Sequence, residues 1–178
     1  MRITGGRYSG RRVECPKGVI RPAMDRMRES MFSILGDLSG CSFLDLFAGS
    51  GVVGIEAASR GASPVSLVEK DGRKRRVILK NISIVESDIR LHTMPAERFV
   101  SSAGPYDVVY LDPPFKYREK TRLISLVQEH GLLEEDGICL IHHPSQEKEW
   151  PDQIGTLECY DLRTYGGSSL RFFRFSGE

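Results

Sequence analysis

The sequence has few of the features that mark membrane, disulfide-rich or zinc proteins. No apolar run approaches the roughly 18 residues of a membrane-spanning helix. The four cysteines are widely spaced, and no Cys-x-x-Cys pair or His/Cys cluster has the spacing of a zinc site. The polar, arginine-containing N-terminus has no apolar core of the kind that secretory signals need. These absences predict a cytoplasmic protein with free thiols and no bound metal.

The composition is that of a globular protein with one main domain. The chain has 178 residues, of which 40% are hydrophobic and 28% are charged. A chain of this length buries about 70% of its unfolded surface and needs no cross-links to stay folded.

The net charge is only +1, but the positive charge is concentrated near the N-terminus. Residues 1–28 carry eight Arg and Lys side chains against Glu14 and Asp25, a net charge of +6. Apolar residues between glycine turns in this segment predict a short β-hairpin that presents arginines. We therefore expect residues 1–22 to form a basic arm that binds a polyanion, ahead of a domain over residues 23–178. A solvated, partly disordered tail is the alternative.

Strand-like and helix-like segments alternate from residue 42 onward, after a first helix predicted over 24–35. The predicted strands are 42–47, 65–69, 89–93, 106–111, 137–142, 156–164 and 169–175. The predicted helices between them are 52–60, 73–84, 96–101 and 119–130. This order predicts an α/β fold with a mostly parallel seven-stranded sheet and helices on both faces. The last two strands have no helix between them and predict a C-terminal antiparallel hairpin.

The tetrapeptide Asp112-Pro113-Pro114-Phe115 follows the predicted strand 106–111. Prolines have no backbone N–H, so the carbonyl of Pro113 is left to accept a hydrogen bond, and Asp112 supplies a second acceptor. Phe115 offers a flat face on which a base can stack. The pattern suits an exocyclic amino group of a nucleobase; a simple strand-ending turn is the alternative.

A glycine loop, DLFAGSGVVG from Asp45 to Gly54, joins the first predicted strand to a helix. Its string G-S-G-V-V-G matches the dinucleotide pattern, with Glu69 at the expected distance. However, Asp45 stands four residues before Gly49, where a carboxylate can hold an ammonium group. The loop therefore favours an amino-acid-bearing nucleoside over a pyrophosphate, although a dinucleotide remains open.

Carboxylates and backbone after the second and third strands complete the candidate site. Glu69 can accept both hydroxyls of a ribose, while Asp71 is the better cap for the following helix. The segment from Met94 to Glu97 lies where an adenine would be lined by backbone and apolar groups. His92, His142 and His143 form no evident ligand set, so ordinary structural roles are expected for them.

The pair D-L-F-A-G-S-G and L-D-P-P-F resembles the S-adenosylmethionine-dependent amino-methyltransferases. Together with the opening I-T-G-G-R-Y-S-G-R-R, then R-P-A-M-D-R-M-R-E-S-M-F, V-E-K-D and Y-G-G-S-S-L, the chain resembles over nearly its whole length the bacterial 16S ribosomal RNA guanine-N2 methyltransferases. This resemblance implies a Rossmann-like class I fold, S-adenosylmethionine as cofactor and small-subunit 16S rRNA as partner.

The resemblance also implies roles for individual residues, with Met24 at the junction of arm and cofactor site. The implied cofactor-binding residues are Asp45, Phe47, Gly49, Ser50, Gly51, Glu69, Lys70, Ala96, Glu97 and Asp112. The implied catalytic residues, which hold the guanine, are Asp112, Pro113, Pro114 and Phe115. The arginines expected to bind RNA are Arg2, Arg7, Arg11, Arg12, Arg21 and Arg26.

The chain departs from the family pattern in two places. Pro95-Ala96 stands where the family often has Asp-Ala, so contact with adenine there must come from backbone or from Glu97. Gly167 stands where the family's Y-G-D-T has an aspartate, so no role is assigned to it.

Three other functions fit parts of the pattern. A DNA or RNA adenine-N6 or cytosine-N4 methyltransferase could use the same tetrapeptide, although 178 residues leave little room for a DNA target-recognition domain. A nicotinamide oxidoreductase would explain G-S-G-V-V-G but leaves D-P-P-F without a role. An inactive ribosome-assembly factor would use the arm alone, which the intact Asp45, Glu69 and Asp112 argue against.

Overall fold

The structure is a computed structural model that describes residues 1–16 and 22–177. The predicted RNA contact Arg21 lies outside the described residues. The helices are α1 (Pro22–Leu35), α2 (Val52–Ser59), α3 (Arg75–Ile82), α4 (Ala96–Val100) and α5 (Lys120–Glu129). The strands are β1 (Phe43–Asp45), β2 (Val65–Val68), β3 (Ile89–His92), β4 (Tyr106–Leu111), β5 (Leu133–Pro144), β6 (Gln153–Ile154), β7 (Leu157–Tyr165) and β8 (Ser168–Phe175).

All eight strands form one sheet in the order β3-β2-β1-β4-β5-β8-β7-β6. The first five are parallel, and β8, β7 and β6 extend the sheet as antiparallel neighbours. The predicted α/β fold and terminal hairpin are therefore confirmed. The predicted count of seven strands is wrong by one, because β6 has two residues and is too short to show a period of alternation.

Most element boundaries differ from the sequence prediction by no more than two residues, and two of the differences have local reasons. Strand β5 begins at Leu133 rather than at residue 137, because the charged residues 134–136 hide the start of the strand. The helix predicted over 73–84 is a single 3-10 turn, Gly72–Lys74, followed by α3. Asp71 caps this turn by accepting the backbone N–H of Arg73, as the sequence predicted.

The helices cover the sheet on both faces and create two cores. On one face, α1, α2 and α3 bury residues such as Phe32, Ala57 and Ile78 against the strands. On the other face, α4 and α5 bury Phe99 and Ile124. Since parallel strands with both faces covered share one carboxyl edge, the loops that follow β1, β2, β3 and β4 meet there.

The N-terminal segment turns back on itself as a short antiparallel pair and packs onto α2. A single antiparallel bridge joins Arg2 and Arg12, and the buried side chains of Ile3, Tyr8 and Val13 join a third core with α2. Glu56 of α2, fully buried, accepts the backbone N–H groups of residues 4 and 5. The buried carboxylate thereby replaces ladder bonds that a longer hairpin would make.

Gly6 sets how closely the arm approaches α2. It has φ +77°, and a Cβ there would lie 1.9 Å from the carbonyl oxygen of Ser59. Gly10 has a similar φ of +82° but open space around it. We expect Gly6→Ala to lower the free energy of unfolding by about 1–3 kcal/mol more than Gly10→Ala does, measured by urea denaturation. Equal losses in the two variants would show that close contact at Gly6 is unimportant.

Within the described part of the chain, none of the helices is both long enough and apolar enough to span a membrane.

Candidate functional site

A cavity of about 460 Å³ opens at the carboxyl ends of the parallel strands. Its size is that of a small-molecule or cofactor site. The residues lining it are Met24, Leu46, Phe47, Gly49, Val68, Glu69, Lys70, Asp71, Lys74, Ala96, Glu97, Asp112, Pro113, Pro114, Phe115, Tyr117 and His142. The structure thus brings most of the predicted cofactor residues and all four of the tetrapeptide to one place.

A smaller cavity of about 110 Å³ adjoins the first and shares Met24, Phe47, Gly49 and Asp112 with it. Asp45 and Ser50, which are absent from the lining of the larger cavity, line the smaller one. Gly51 lines neither cavity. A Cβ on Gly51 would instead meet the core side chains of Leu67 and Ile78, and its φ of +83° shapes the turn into α2.

Asp45 is the most buried acid of the site. The carboxylate accepts the backbone N–H of Phe47 at 3.0 Å, and the residue is 1% exposed. Burial raises the pKa of Asp45 to about 8; the hydrogen bond from Phe47 opposes this, while the charges of Asp112 and Glu69 add to it. A buried acid of this kind is suited to a cationic ligand, which would restore its charged form.

Glu69 anchors the glycine loop as well as facing the cavity. Its two oxygens accept the backbone N–H groups of Gly49 and Asp71 at 3.0 and 2.9 Å, and Lys74 contacts it at 3.3 Å. These bonds fix both carboxylate oxygens in direction. The carboxylate is therefore held ready to accept hydroxyl groups from a ligand in the cavity.

Asp112 stands where β4 ends, with its carboxylate against a neighbouring strand. Its Oδ1 lies 2.7 Å from Nδ1 of His142, at the corresponding position on β5. Tyr110 lies two residues earlier, on β4. Burial raises the pKa of Tyr110 well above its ordinary value, and the charge of Asp112 adds to the effect. The Tyr110 hydroxyl therefore stays protonated beside the site.

The two prolines differ in what their carbonyls do. The carbonyl of Pro114 accepts the backbone N–H of Tyr117 at 2.8 Å, which turns the chain after the tetrapeptide. No described residue donates to the carbonyl of Pro113. One face of the loop thus keeps the acceptor pair of Asp112 and Pro113 that the sequence predicted.

Lys120 holds the tetrapeptide loop from behind. The ammonium group, 4% exposed as a residue, donates to the carbonyls of Phe115 and Tyr117 at 3.0 and 2.6 Å. It also forms an ion pair with Glu147 at 2.7 Å. A buried ammonium with all three donors in use fixes the loop.

The far wall of the cavity is formed at the start of α4. Ala96 is buried there and Glu97 is exposed, with its Oε1 accepting the hydroxyl of Tyr117 at 3.0 Å. The Tyr117 ring also meets Phe47 edge-on, with ring centroids 6.3 Å apart. Tyr117 therefore links the tetrapeptide loop to two predicted cofactor residues.

The predicted RNA-binding arginines that the structure describes line neither cavity, and they differ in their partners. Arg7 forms an ion pair with Glu86, and Arg11 donates to the carbonyl of Ile84. Both partners precede β3, at the sheet edge opposite the cavity. Arg2, Arg12 and Arg26 are exposed, and their side chains make no hydrogen bond or ion pair with another described residue.

Sequence reasoning missed His142, Tyr117 and Lys120. His142 was expected to have an ordinary structural role, yet it contacts Asp112 and its ring lies 5.2 Å from that of Phe115. For Tyr117 and Lys120, the available signal was their short distance along the chain from the tetrapeptide. Among the described residues, no group of three or more His, Cys, Asp or Glu side chains could hold a metal ion.

Comparison with known proteins gives consistent similarities. A family model described as "Conserved hypothetical protein 95" matches residues 1–174. "Putative rRNA methyltransferase YlbH" of Bacillus subtilis is 32% identical, covering 99% of this chain and 100% of that protein. "Ribosomal RNA small subunit methyltransferase D" of Escherichia coli K12 is 32% identical, covering 79% of this chain and 73% of that protein. The solved structure of "Putative methyltransferase yhhF from Escherichia coli" has a TM-score of 0.89 at 28% identity, covering 100% and 99% of the two chains.

Proposed function

The chain belongs to the conserved hypothetical protein 95 family, with small-subunit ribosomal RNA methyltransferases among its relatives, and on that premise we propose that it methylates the exocyclic N2 amino group of a guanine in 16S rRNA, with S-adenosylmethionine as donor. The observation that carries the proposal is the pair of adjoining cavities, in which Asp112 and Pro113 offer acceptors, with Glu69 in the larger cavity and Asp45 in the smaller one. We place the reaction in the cytoplasm, on the small subunit or an assembly intermediate.

The described residues fit S-adenosylmethionine in chemical type. Asp45, buried and with a raised pKa, suits the ammonium of the methionine part. Glu69 suits the ribose hydroxyls, while Ala96 and Glu97 lie where the adenine would be lined. When bound, the cofactor supplies an electrophilic methyl group on a sulfonium. Phe47, which lines both cavities, adds an aromatic wall near that charge.

Asp112 and Pro113 would prepare the amino group for transfer. The N2 lone pair of guanine is delocalised into the ring, which makes it a weak nucleophile. When the Asp112 carboxylate and the Pro113 carbonyl accept its two N–H groups, the lone pair is directed toward the methyl carbon. Phe115 stacks the flipped-out base, and positioning supplies much of the rate. Transfer of the methyl would leave the neutral thioether S-adenosylhomocysteine, and the surplus amine proton would then pass to the Asp112 carboxylate, which already accepts that N–H.

The arm supplies the contact with RNA in this proposal. Arg2 and Arg12 face each other across the antiparallel bridge, where two like charges repel. Phosphate groups bound at this pair would offset the repulsion. Arg7 and Arg11 already have protein partners, so they make a weaker contribution.

We expect the double variant Arg2→Gln, Arg12→Gln to weaken RNA binding and to reduce the slope of log affinity against log salt by about 1.4–1.8, the value for two lost phosphate contacts. Fluorescence anisotropy with 16S rRNA fragments over a salt series measures this slope. The matched control Arg7→Gln, Arg11→Gln should change it less. A larger change in the control would show that the RNA contact lies instead near Arg7 and Arg11, at the sheet edge opposite the cavity.

The central experiment is transfer of a tritiated methyl group to RNA and to small subunits from a strain that lacks this protein. We expect label in 16S rRNA, recovered as N2-methylguanosine on nucleoside analysis. Label on adenine or cytosine, or in DNA alone, would overturn the proposal. Comparing naked RNA with subunits identifies the form of the substrate.

A further inference from the structure

His142 lies in the cavity wall beside Asp112, whereas its neighbour His143 does not line the cavity. In the parallel pair of β4 and β5, Leu111 is in register with Ile141, so Asp112 and His142 are the next residues on adjacent strands. This register brings Nδ1 of His142 to 2.7 Å from Oδ1 of Asp112. His142 is 2% exposed, so its imidazole is held inside the wall of the cavity.

The hydrogen bond defines the tautomer of His142. A carboxylate only accepts hydrogen bonds, so Nδ1 carries the proton that this contact uses. Nε2 is buried and has no hydrogen-bond partner among the described residues. A buried polar atom without a hydrogen-bond partner destabilises the folded state. The folded state therefore tolerates an unfavourable atom in order to keep an imidazole at this position.

His143, in the same strand, has hydrogen-bond partners for both of its ring nitrogens, as a structural histidine does. Its Nδ1 contacts the carbonyl of Pro144 at 2.9 Å, and its Nε2 accepts from Arg171 at 3.2 Å. Its ring also packs on Trp150, with centroids 4.6 Å apart. His142 instead directs its one bonded nitrogen at the tetrapeptide, and its ring meets that of Phe115 edge-on at 5.2 Å.

We propose that His142 is a positioning residue for methyl transfer, which orients the carboxylate of Asp112 through Nδ1–H and supports the ring of Phe115. This inference rests on the proposed function. With Oδ1 held by His142, the second carboxylate oxygen is the one turned toward the amino group of the base. His142 contacts the acceptor and the stacking ring at once, so a single side chain sets the geometry between them.

Three substitutions separate the two ring nitrogens. The amide of His142→Asn places an N–H close to the position of Nδ1, so it can donate to Asp112. His142→Gln carries the same amide further out, near the position of Nε2, and His142→Leu has neither group. The exposed His130, at the end of α5, gives the control His130→Leu for loss of an imidazole elsewhere.

We expect His142→Leu and His142→Gln to lower the single-turnover rate of methyl transfer to small subunits by on the order of 10²-fold, the effect of a displacement near 1 Å. His142→Asn should restore most of that rate. Binding of S-adenosylmethionine, measured by calorimetry, and the thermal midpoint should stay close to wild type in all three. A wild-type rate in His142→Leu, failure of Asn to exceed Gln, or a matching loss of cofactor affinity would each overturn the inference.

A measurement on the unmodified protein keeps the inference testable if a variant fails to fold. Nitrogen-15 NMR of the histidine ring distinguishes the Nδ1–H tautomer, which we expect for His142, from the Nε2–H tautomer, which would contradict it. If the wild-type protein methylates no guanine N2, the proposed function fails by itself. If it does so and His142→Leu is equally fast, only the positioning role fails.

Discussion

Asp112→Ala will lower the single-turnover rate of methyl transfer by on the order of 10²–10³-fold, the range seen when one group that stabilises developing charge is removed. The substitution removes the proposed acceptor for the amino group and leaves Nδ1–H of His142 without its partner. Affinity for S-adenosylmethionine should stay close to wild type, because Asp45 and Glu69 remain in place. Rapid-quench kinetics on small subunits and calorimetry on the free protein measure the two quantities.

The control for this prediction is Asp136→Ala, which removes one exposed carboxylate near the start of β5. It should leave both rate and affinity unchanged. Asp112→Asn adds a finer comparison, since the amide keeps one oxygen but presents N–H groups toward the amine. If Asp112→Ala weakened cofactor binding as much as it slowed the reaction, Asp112 would belong to the cofactor site alone.

Asp45→Asn will weaken the binding of S-adenosylhomocysteine by on the order of 10²-fold, because a buried charge partner of the ligand ammonium is lost. The free protein should be at least as stable as wild type at neutral pH. The amide is neutral and nearly the same shape, and it can still accept the N–H of Phe47. Isothermal calorimetry and urea denaturation test the two halves of the prediction.

The raised pKa of Asp45 also predicts how stability depends on pH. The carboxyl titrates at about 8 in the folded protein against an ordinary value of 3.8, so the unfolded chain loses this proton first. Its contribution to the free energy of unfolding is therefore greatest at low pH and falls as pH rises from about 4 to about 8. Asp45→Asn should remove this part of the slope. A slope identical in the two proteins would show that Asp45 titrates normally.

Ligand binding should show the opposite dependence on pH. Pairing with an ammonium requires the charged carboxylate, so affinity should rise between about pH 6 and pH 8, and binding near neutral pH should release about one proton. Calorimetry in buffers of different ionisation enthalpy counts that proton. The count should fall to zero in Asp45→Asn, whereas Asp136→Asn should behave as wild type.

The sequence predicted the parts of the site that depend on short segments. Asp112 to Phe115 follow a strand and the glycine loop precedes a helix, and each of these patterns is contained within a few consecutive residues. Glu69 and Gly49 were both assigned to the cofactor site, at the carboxyl edge that parallel strands share. The structure places them 3.0 Å apart, from Glu69 Oε2 to the Gly49 N–H.

The parts that were missed depend on pairings between distant segments. The contact of His142 with Asp112 follows from the register of β4 against β5, which no local pattern encodes. In the sequence, Glu56 has no feature that sets it apart from other helix residues. In the structure, its buried carboxylate accepts backbone N–H groups of the arm and forms an ion pair with Arg28. Burial of such an acid depends on three segments that meet only after folding.

The fixed loop behind the tetrapeptide has a consequence for how a base is selected. Lys120 holds the carbonyls of Phe115 and Tyr117 before any substrate arrives. Ordering a mobile side chain on binding costs about 0.5–1.5 kcal/mol, and this site avoids that cost because its loop is already in place. On the proposed function, we expect discrimination among RNA positions to depend mainly on how readily each nucleotide unstacks, so that the shape of the RNA, more than adaptation of the protein, decides which base enters.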